Sequence, residues 1–422
     1  MRAPLLLQCA QVSKDWSQLT KDELLWVALC ETDWFLESKE TPGPLDGKPV
    51  QHMLWRDAWF SSCRLYGPYG QHYAHAHSVW KKLRDWTREK APVIFQSLAP
   101  PATEADFAEI ETALGITLPT AAKALYAIHN GQNLHFDEVV MDFARNASTP
   151  ADSSMYHGIL GGYSFYDHKV NVRLFPLRIA MYWTARTQIF HEPVSPGKIL
   201  IAASFNLSKF FWLDTTNGEV YVSLADRLHM MPCCPETGSE EKDGLLRWLT
   251  AYADQLVAGN FRVMQIDEDR SDSVGICRFP QAPPETSNVV TRGVQARASG
   301  VFVPENSRLD GARWTYFFTY SIRLQMLEGY IPSAQLKSRH WVIKDGDGKE
   351  SEVRGEAVIG KYPLLRPGQE EFVYQSCTNM PTRTGSMEGD LEFIEGSIRQ
   401  PVGEPFDVIV GSFPLNIPEI IF

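Results

Sequence analysis

Gly355, Ala357 and Gly360 stand at the spacing of a G-x-G-x-x-G phosphate loop, with Arg354 before it and Lys361 closing it. Such loops hold anions because glycine lets backbone N–H groups approach closely. Ala357 removes the middle glycine and some of that approach. Lys361-Tyr362-Pro363 follows instead of a helix, so a dinucleotide fingerprint is excluded. Arg354, Gly355, Gly360 and Lys361 are therefore a candidate anion-binding set, weighed against a plain structural turn. His72, His75 and His77 could offer imidazoles to a metal. In a strand His75 and His77 share a face, and in a helix His72 and His75 do, but no single geometry presents all three. The plainer reading is an aromatic loop or helix start, and no metal is expected. Cys233 and Cys234 are adjacent, sit between Pro232 and Pro235, and have no further ligand at short spacing, which reads as a loop. No G-x-S-x-G elbow, H-E-x-x-H pair or P-loop occurs. No catalytic residue and no cofactor are expected.

The elements that must position these residues begin with the size of the chain. At 422 residues it is too long for one ordinary core, so two or three domains are expected. A hydrophobic content of 44% and an aromatic content of 12% suit folded domains rather than disorder. The net charge of −11 argues against non-specific nucleic-acid binding, which needs a basic surface. Seven cysteines without C-x-x-C spacing or a disulfide framework point to a reducing compartment, cytoplasmic and/or nuclear. No apolar run approaches the length of a membrane span, so no membrane partner is expected.

Leu5, Cys9, Val12, Trp16 and Leu19 recur at spacings of four and three, which predicts one apolar helical stripe after Pro4. A second short apolar helix is predicted over Leu24–Leu29. The turn-rich stretch Thr41–Pro49 ends this pattern. An aromatic region, Trp55 to Trp86, then carries the stripe Val79, Leu83 and Trp86. Thr103-Glu104-Ala105-Asp106 predicts a capping-box start, with Phe107, Ile110 and Leu114 inward and Gly115 as the C-cap. Leu118-Pro119 opens another helix. Lys198–Ala202 and Phe210–Asp214 read as buried strands, and Thr215-Thr-Asn-Gly218 as a hairpin turn before Val220–Val222. Leu245–Leu256 closes the region as a helix. Pro280, Pro283 and Pro284 mark a linker. Beyond it, Tyr316, Phe318, Tyr320, Ile322 and Leu324 alternate with Phe317, Thr319, Ser321 and Arg323. Several such period-two strands separated by turns predict a β-sandwich.

These residues carry three resemblances. Pro4, Leu6-Leu7, Val12-Ser13-Lys14 and Trp16, then Leu25-Trp26 and Cys30, resemble the C-terminal two-thirds of an F-box. The opening helix of that family has no counterpart here. ATEADFAEIETALGITLPTAAKALYAIHNGQ (102–132) and LDTTNGEVY (213–221) resemble the SUKH (Smi–Knr-like) superfamily. The Val294 strand, FFTYSIRL (317–324), RHW (339–341), GEAVIGKYPLLRPGQEEFVYQS (355–376) and GSMEGDLEF (385–393) resemble an ApaG domain, a fibronectin-III-like sandwich. Together they resemble the plant Skp-interacting F-box proteins of this architecture, which are related to animal F-box-only proteins.

The resemblance implies a multidomain α+β chain. Its expected parts are a partial F-box (1–40), a helical and aromatic linker region (41–96), a SUKH domain (97–262), a linker (263–285) and an ApaG domain (286–422). It implies a non-catalytic substrate receptor of a Skp–cullin–F-box ubiquitin ligase. Pro4, Leu6, Leu7, Val12, Trp16, Leu24 and Trp26 would meet the Skp-type adaptor, and the SUKH-like and ApaG domains would take the protein target. Because the opening helix has no counterpart, a binding scaffold without ligase function is the alternative. An ApaG-type phosphate-binding protein working through Arg354, Gly355, Gly360 and Lys361 is a further one.

Overall fold

The protein is described from a computed structural model covering residues 8, 10–36, 54–133, 153–190, 197–237 and 240–422. The helix Lys14–Leu19 begins afresh after a turn, so the expected stripe is interrupted at Ser13; its Leu5 and Cys9 lie outside the described residues. Ser13 is extended at φ −158°, and its side chain accepts a hydrogen bond from the Trp16 N–H at 3.2 Å. A serine oxygen that caps here starts a helix rather than continuing one, so Val12 falls in the turn before it. Asp22 caps the next helix, Glu23–Trp34, by accepting from the Leu24 N–H at 3.0 Å.

The aromatic region beyond it holds two helices, Trp55–Tyr66 and Gln71–Lys90. Its Trp59, Tyr66, Tyr73 and Trp80 are buried. The longer helix is fastened to the central domain. Trp80 donates to the Leu125 carbonyl at 2.9 Å, His75 Nε2 meets Thr250 Oγ1 at 2.9 Å, and Lys82 pairs with Asp254. Helix Glu104–Leu114 forms as its capping box predicts. The Asp106 N–H donates to Thr103 Oγ1 and the Thr103 N–H donates to Asp106 Oδ2, while Gly115 closes the helix at φ 63°. Thr103→Ala should therefore lower stability by about 0.5–2 kcal/mol in urea unfolding. An unchanged midpoint would show that the box adds nothing.

Eight strands form the central sheet: β1 (Gly161–Phe165), β2 (His168–Leu174), β3 (Lys198–Ser204), β4 (Phe210–Asp214), β5 (Val220–Ser223), β6 (Met230–Pro232), β7 (Arg262–Gln265) and β8 (Val274–Cys277). They run in the order β6-β5-β4-β3-β2-β1-β8-β7. The β4–β5 hairpin turns at the predicted Thr215–Gly218. Helix Gly244–Val257 carries the buried row Leu245, Leu246, Trp248, Leu249, Tyr252, Ala253 and Leu256. The expected linker over 263–285 is corrected, because it holds two strands of this sheet, β7 and β8. β8 lies parallel to β1 with Gly162 opposite Cys277, and β7 pairs outside it. Gly161 permits the approach, since a Cβ there would stand 2.5 Å from the Ile276 carbonyl. Only the proline-rich stretch after β8 joins the sheet to the C-terminal strands.

Those strands are β9 (Thr286–Thr291), β10 (Val294–Phe302), β11 (Arg308–Asp310), β12 (Arg313–Met326), β13 (Ala334–Asp345), β14 (Glu350–Glu356), β15 (Leu364–Leu365), β16 (Phe372–Met380), β17 (Gly385–Ser397), β18 (Gln400–Pro401) and β19 (Phe406–Pro414). They make two sheets, β11-β12-β10-β9 with β16 beside β12, and β14-β13-β17-β18 with β15 on β13 and β19 on β17. This is the sandwich that the alternation predicts. The departure is on β12, where Thr319, Ser321 and Arg323 are buried as well as the inward row. Their face of the sheet is covered by the central domain. Arg323 Nη1 donates to Gln281 Oε1 at 3.0 Å, Ser164 donates to Gln375 at 2.9 Å, and Phe165 packs on Phe317.

Two further contacts fuse the domains. Tyr163 donates to Glu305 Oε1 at 2.6 Å, and His168 Nε2 lies 3.0 Å from the same oxygen. The segment after β19 leaves the sandwich and enters the central domain. The Ile421 N–H donates to the Cys233 carbonyl, Trp248 donates to the Ile421 carbonyl, and Lys209 donates to the Phe422 carbonyl at 2.8 Å. Among the described residues no helix is long and apolar enough to cross a membrane.

Candidate functional site

The N-terminal helix pair has two unlike faces. Toward the molecule, helix Glu23–Trp34 buries Trp26, Leu29, Cys30 and Trp34. Trp26 meets Trp59 edge-on at 5.9 Å and Phe60 at 5.7 Å, and Trp34 meets Trp59 at 5.9 Å. The Trp26 indole N–H donates to the Thr20 carbonyl at 2.8 Å, which ties the two helices together at their joint. The Trp59 indole donates to Asp33, and Glu23 accepts from the Trp55 N–H at 2.9 Å. Burial, then the nearby Asp33, Glu23 and Glu31, push the Cys30 thiol up to about 12, so it stays a neutral core group.

Away from that core the pair exposes Trp16 (49%), Leu19 (58%), Leu24 (75%) and Leu25 (40%), and the turn before it exposes Val12 (70%). Helix Glu23–Trp34 is thus apolar on both sides although only one side has a core to meet. Leaving such side chains in water forgoes about 1.5–3 kcal/mol each relative to burial. Groups of exposed apolar side chains are characteristic of interaction surfaces.

Of the sequence candidates, Val12, Trp16 and Leu24 lie on this outer face. Trp26 does not. At 1% exposure it belongs to the core and positions the outer face from behind, a correction that the tryptophan's non-local partner Trp59 explains. Pro4, Leu6 and Leu7 lie outside the described residues. Leu19 and Leu25 join the surface; their apolar character was visible in the sequence, but not the direction they face.

The two cations of the glycine loop each have a carboxylate partner. Arg354, on β14, pairs with Glu352 at 3.2 Å. Lys361 lies between Glu268 at 3.4 Å and Asp269 at 3.2 Å. Partial burial works against its charge, and those two carboxylates more than offset this, holding its pKa above the usual lysine value. Both cations are thus already matched by carboxylates. Gly360 takes φ 76° and Ala357 φ 57° in a tight turn closed by hydrogen bonds between Val358 and Lys361. Gly355 continues β14 opposite Arg339. The loop is a structural turn that seats the sandwich on the central domain.

The three histidines share one helix and face different neighbours. His75 meets Thr250, and His77 stacks on Phe35 at 4.5 Å. Among the described residues no group of three or more histidine, cysteine, aspartate or glutamate side chains could hold a metal. Burial pushes the Cys233 thiol well up and the Cys234 thiol up to about 11, so neither is a ready thiolate.

Comparison with known proteins supplies the family. The SMI1/KNR4 family (SUKH-1) model matches residues 101–242, and the ApaG domain model matches residues 306–395. F-box protein SKIP16 of Arabidopsis thaliana is 36% identical, with 98% of this chain and 94% of that protein covered. F-box only protein 3 of Homo sapiens is 27% identical over 92% of this chain and 74% of its own length. Protein ApaG of a Bradyrhizobium strain is 39% identical, over 31% of this chain and 92% of that protein. The third match falls on the sandwich scale, whereas the first spans helices, central sheet and sandwich together. The chain therefore belongs to the F-box proteins that carry a SUKH-1 domain followed by an ApaG domain.

Proposed function

We propose that this chain is the substrate-receptor subunit of a Skp–cullin–F-box ubiquitin ligase. It performs no chemistry itself. Its contribution is to hold a target beside the ubiquitin-charged enzyme, an effect of proximity and orientation. The observation that carries this reading is the outer face of the N-terminal helices, where Val12, Trp16, Leu19, Leu24 and Leu25 are exposed on a pair whose inner face is already full. Membership in the F-box family supports a Skp-type adaptor, which brings the cullin, as the partner of this face. The SUKH-like and ApaG domains are left to take the protein target.

The test is capture of purified Skp-type adaptor by the full chain beside a Trp16→Ala/Leu24→Asp variant. Central tryptophans and leucines buried at an interface cost about 2 kcal/mol or more when truncated, and a charge at Leu24 adds a desolvation cost. The variant should bind at least about thirtyfold more weakly while its circular dichroism is unchanged. Equal capture by both forms would sink the assignment of this face. No capture by either would leave a binding scaffold outside any ligase.

A further inference from the structure

Inside the sandwich, β12 and β16 face β13 and β14 across a cleft of about 290 Å³. This is just under the 300–1,000 Å³ usual for small-molecule sites. Tyr320, Trp341 and Tyr374 line it, and Tyr166, in the β1–β2 turn of the central domain, reaches its mouth. There the Tyr166 hydroxyl lies 2.9 Å from Ser376 Oγ. The walls are aromatic, and Tyr320 and Trp341 stand edge-to-face at 6.4 Å. The site is therefore shared between the two domains, and Ile359 of the glycine loop forms part of its lining.

Two side chains that line the cleft carry a buried donor with no acceptor, whereas the Tyr166 and Ser376 hydroxyls there pair with each other. Trp341 and Tyr374 are each 1% exposed, yet the Trp341 indole N–H and the Tyr374 hydroxyl have no hydrogen-bond partner. Such orphaned buried groups are rare and ask for an explanation. An indole nitrogen only donates. Burial holds the Tyr374 phenol well above its ordinary pKa, so it too keeps its proton. The third group is Arg339. Its Nη1 donates to the carbonyls of Glu356 at 2.9 Å and Ala357 at 2.6 Å. Among the described residues no carboxylate pairs with it, unlike Arg354 and Lys361 nearby. It lines the cleft together with Tyr320 and Tyr374.

A guanidinium held by backbone carbonyls but by no carboxylate, and two orphaned donors behind aromatic walls, suit one ligand chemistry. We propose that the cleft binds an aromatic carboxylate, its ring against Tyr320 and Trp341 and its carboxylate on Arg339 and the orphaned donors. A free aromatic acid carries that chemistry, and so does the last residue of a polypeptide that ends in an aromatic side chain. Guanidinium–carboxylate bonds are the stronger, charge-assisted kind, so the negative charge should dominate recognition.

Calorimetric titration of the full chain tests this with 3-phenylpropionate, N-acetylphenylalanine and N-acetylphenylalanine amide. At least one acid should bind with a Kd of about 1 mM or tighter, and the amide at least about tenfold more weakly than its acid. Tyr374→Phe, which removes one oxygen, should weaken binding about threefold to tenfold. Arg339→Met should weaken it tenfold or more. If that variant fails to fold because the Glu356 and Ala357 carbonyls lose their donor, the Tyr374→Phe and amide results decide. Tighter binding of N-acetylphenylalanine than of phenylpropionate points to a polypeptide terminus, and the reverse order to a free acid. The proposal is overturned if neither acid binds at about 10 mM, some tenfold above the expected Kd. It is equally overturned if acid and amide bind alike, or if Tyr374→Phe leaves the affinity unchanged. Adaptor capture should be the same with and without the acid, so this test and that of the N-terminal face fail separately.

Discussion

Trp26→Ala is expected to loosen the N-terminal helix pair by about 3–5 kcal/mol, although the residue touches no partner. The ring is fully enclosed, meets Trp59 and Phe60, and donates to the Thr20 carbonyl at the joint between the helices. Truncation leaves a cavity, removes two ring contacts worth about 0.5–1.5 kcal/mol each, and strips the joint of its donor. Amide hydrogen exchange over Glu23–Trp34 should accelerate accordingly, and adaptor capture should fall with it because the outer face loses its support. Trp16→Ala gives the contrast. Its side chain is about half exposed, so stability should stay within about 0.5 kcal/mol while capture still falls. If Trp26→Ala leaves exchange over Glu23–Trp34 unchanged, the division into inner and outer faces is wrong.

The second large effect lies at the junction of the central domain and the sandwich. Lys209 is fully buried, and donates to the Tyr163 hydroxyl at 3.3 Å as well as to the Phe422 carbonyl. Tyr163 in turn donates to Glu305, which sits between it and His168. Lys209→Met removes the cation and leaves Glu305 buried with less compensation, at a cost of about 3–5 kcal/mol. The double variant Lys209→Met/Glu305→Gln should recover part of that, with a coupling of about 1–3 kcal/mol. Additive losses in urea unfolding would show that the two charges do not act on each other.

The pH dependence has a definite sign for each group. Burial alone would raise the Glu305 carboxyl, but Lys209, His168 and Tyr163 together hold it below its ordinary 4.5. Its contribution is therefore complete above pH 4.5 and is lost as pH falls through the lowered value. Burial lowers Lys209 from 10.5 to about 8, partly offset by Glu305. Between pH 8 and 10.5 the unfolded chain holds a proton that the folded one has shed, so the stability owed to this group rises with pH there. Melting curves of Lys209→Met should lack that rise, and those of Glu305→Gln should lose part of the acid limb.

How much of the fold the sequence reveals depends on the range of the interactions. Helix Glu104–Leu114 and the Thr215–Gly218 turn are set by residues three or four apart, and both were legible. The sandwich strands were legible because alternation is local. The Val12–Leu19 part of the stripe misled because spacing does not show that the Ser13 oxygen takes the Trp16 N–H and starts a new helix. Trp16 and Trp26 look alike in the chain, and only Trp59, more than thirty positions beyond Trp26, decides which is core. The segment 263–285 read as a linker because β8 pairs with β1 across more than a hundred residues. Lys361 and Arg354 suggested an anion site, and the carboxylates on Lys361 come from a different domain.

The fastening of each part to the next gives the molecule the properties of a lever. The N-terminal pair is held by Trp59, the Gln71–Lys90 helix by Leu125 and Thr250, and the sandwich by Glu305 and the segment ending at Phe422. Flexible tethers let cargo sample a volume, whereas a rigid arm delivers it to one place. A target gripped by the sandwich at one end would be carried at a set height and angle from whatever grips the helices at the other. Which of its lysines come within reach would then be dictated by the arm's dimensions, and lengthening or bending that arm would change the choice of lysine without changing the grip.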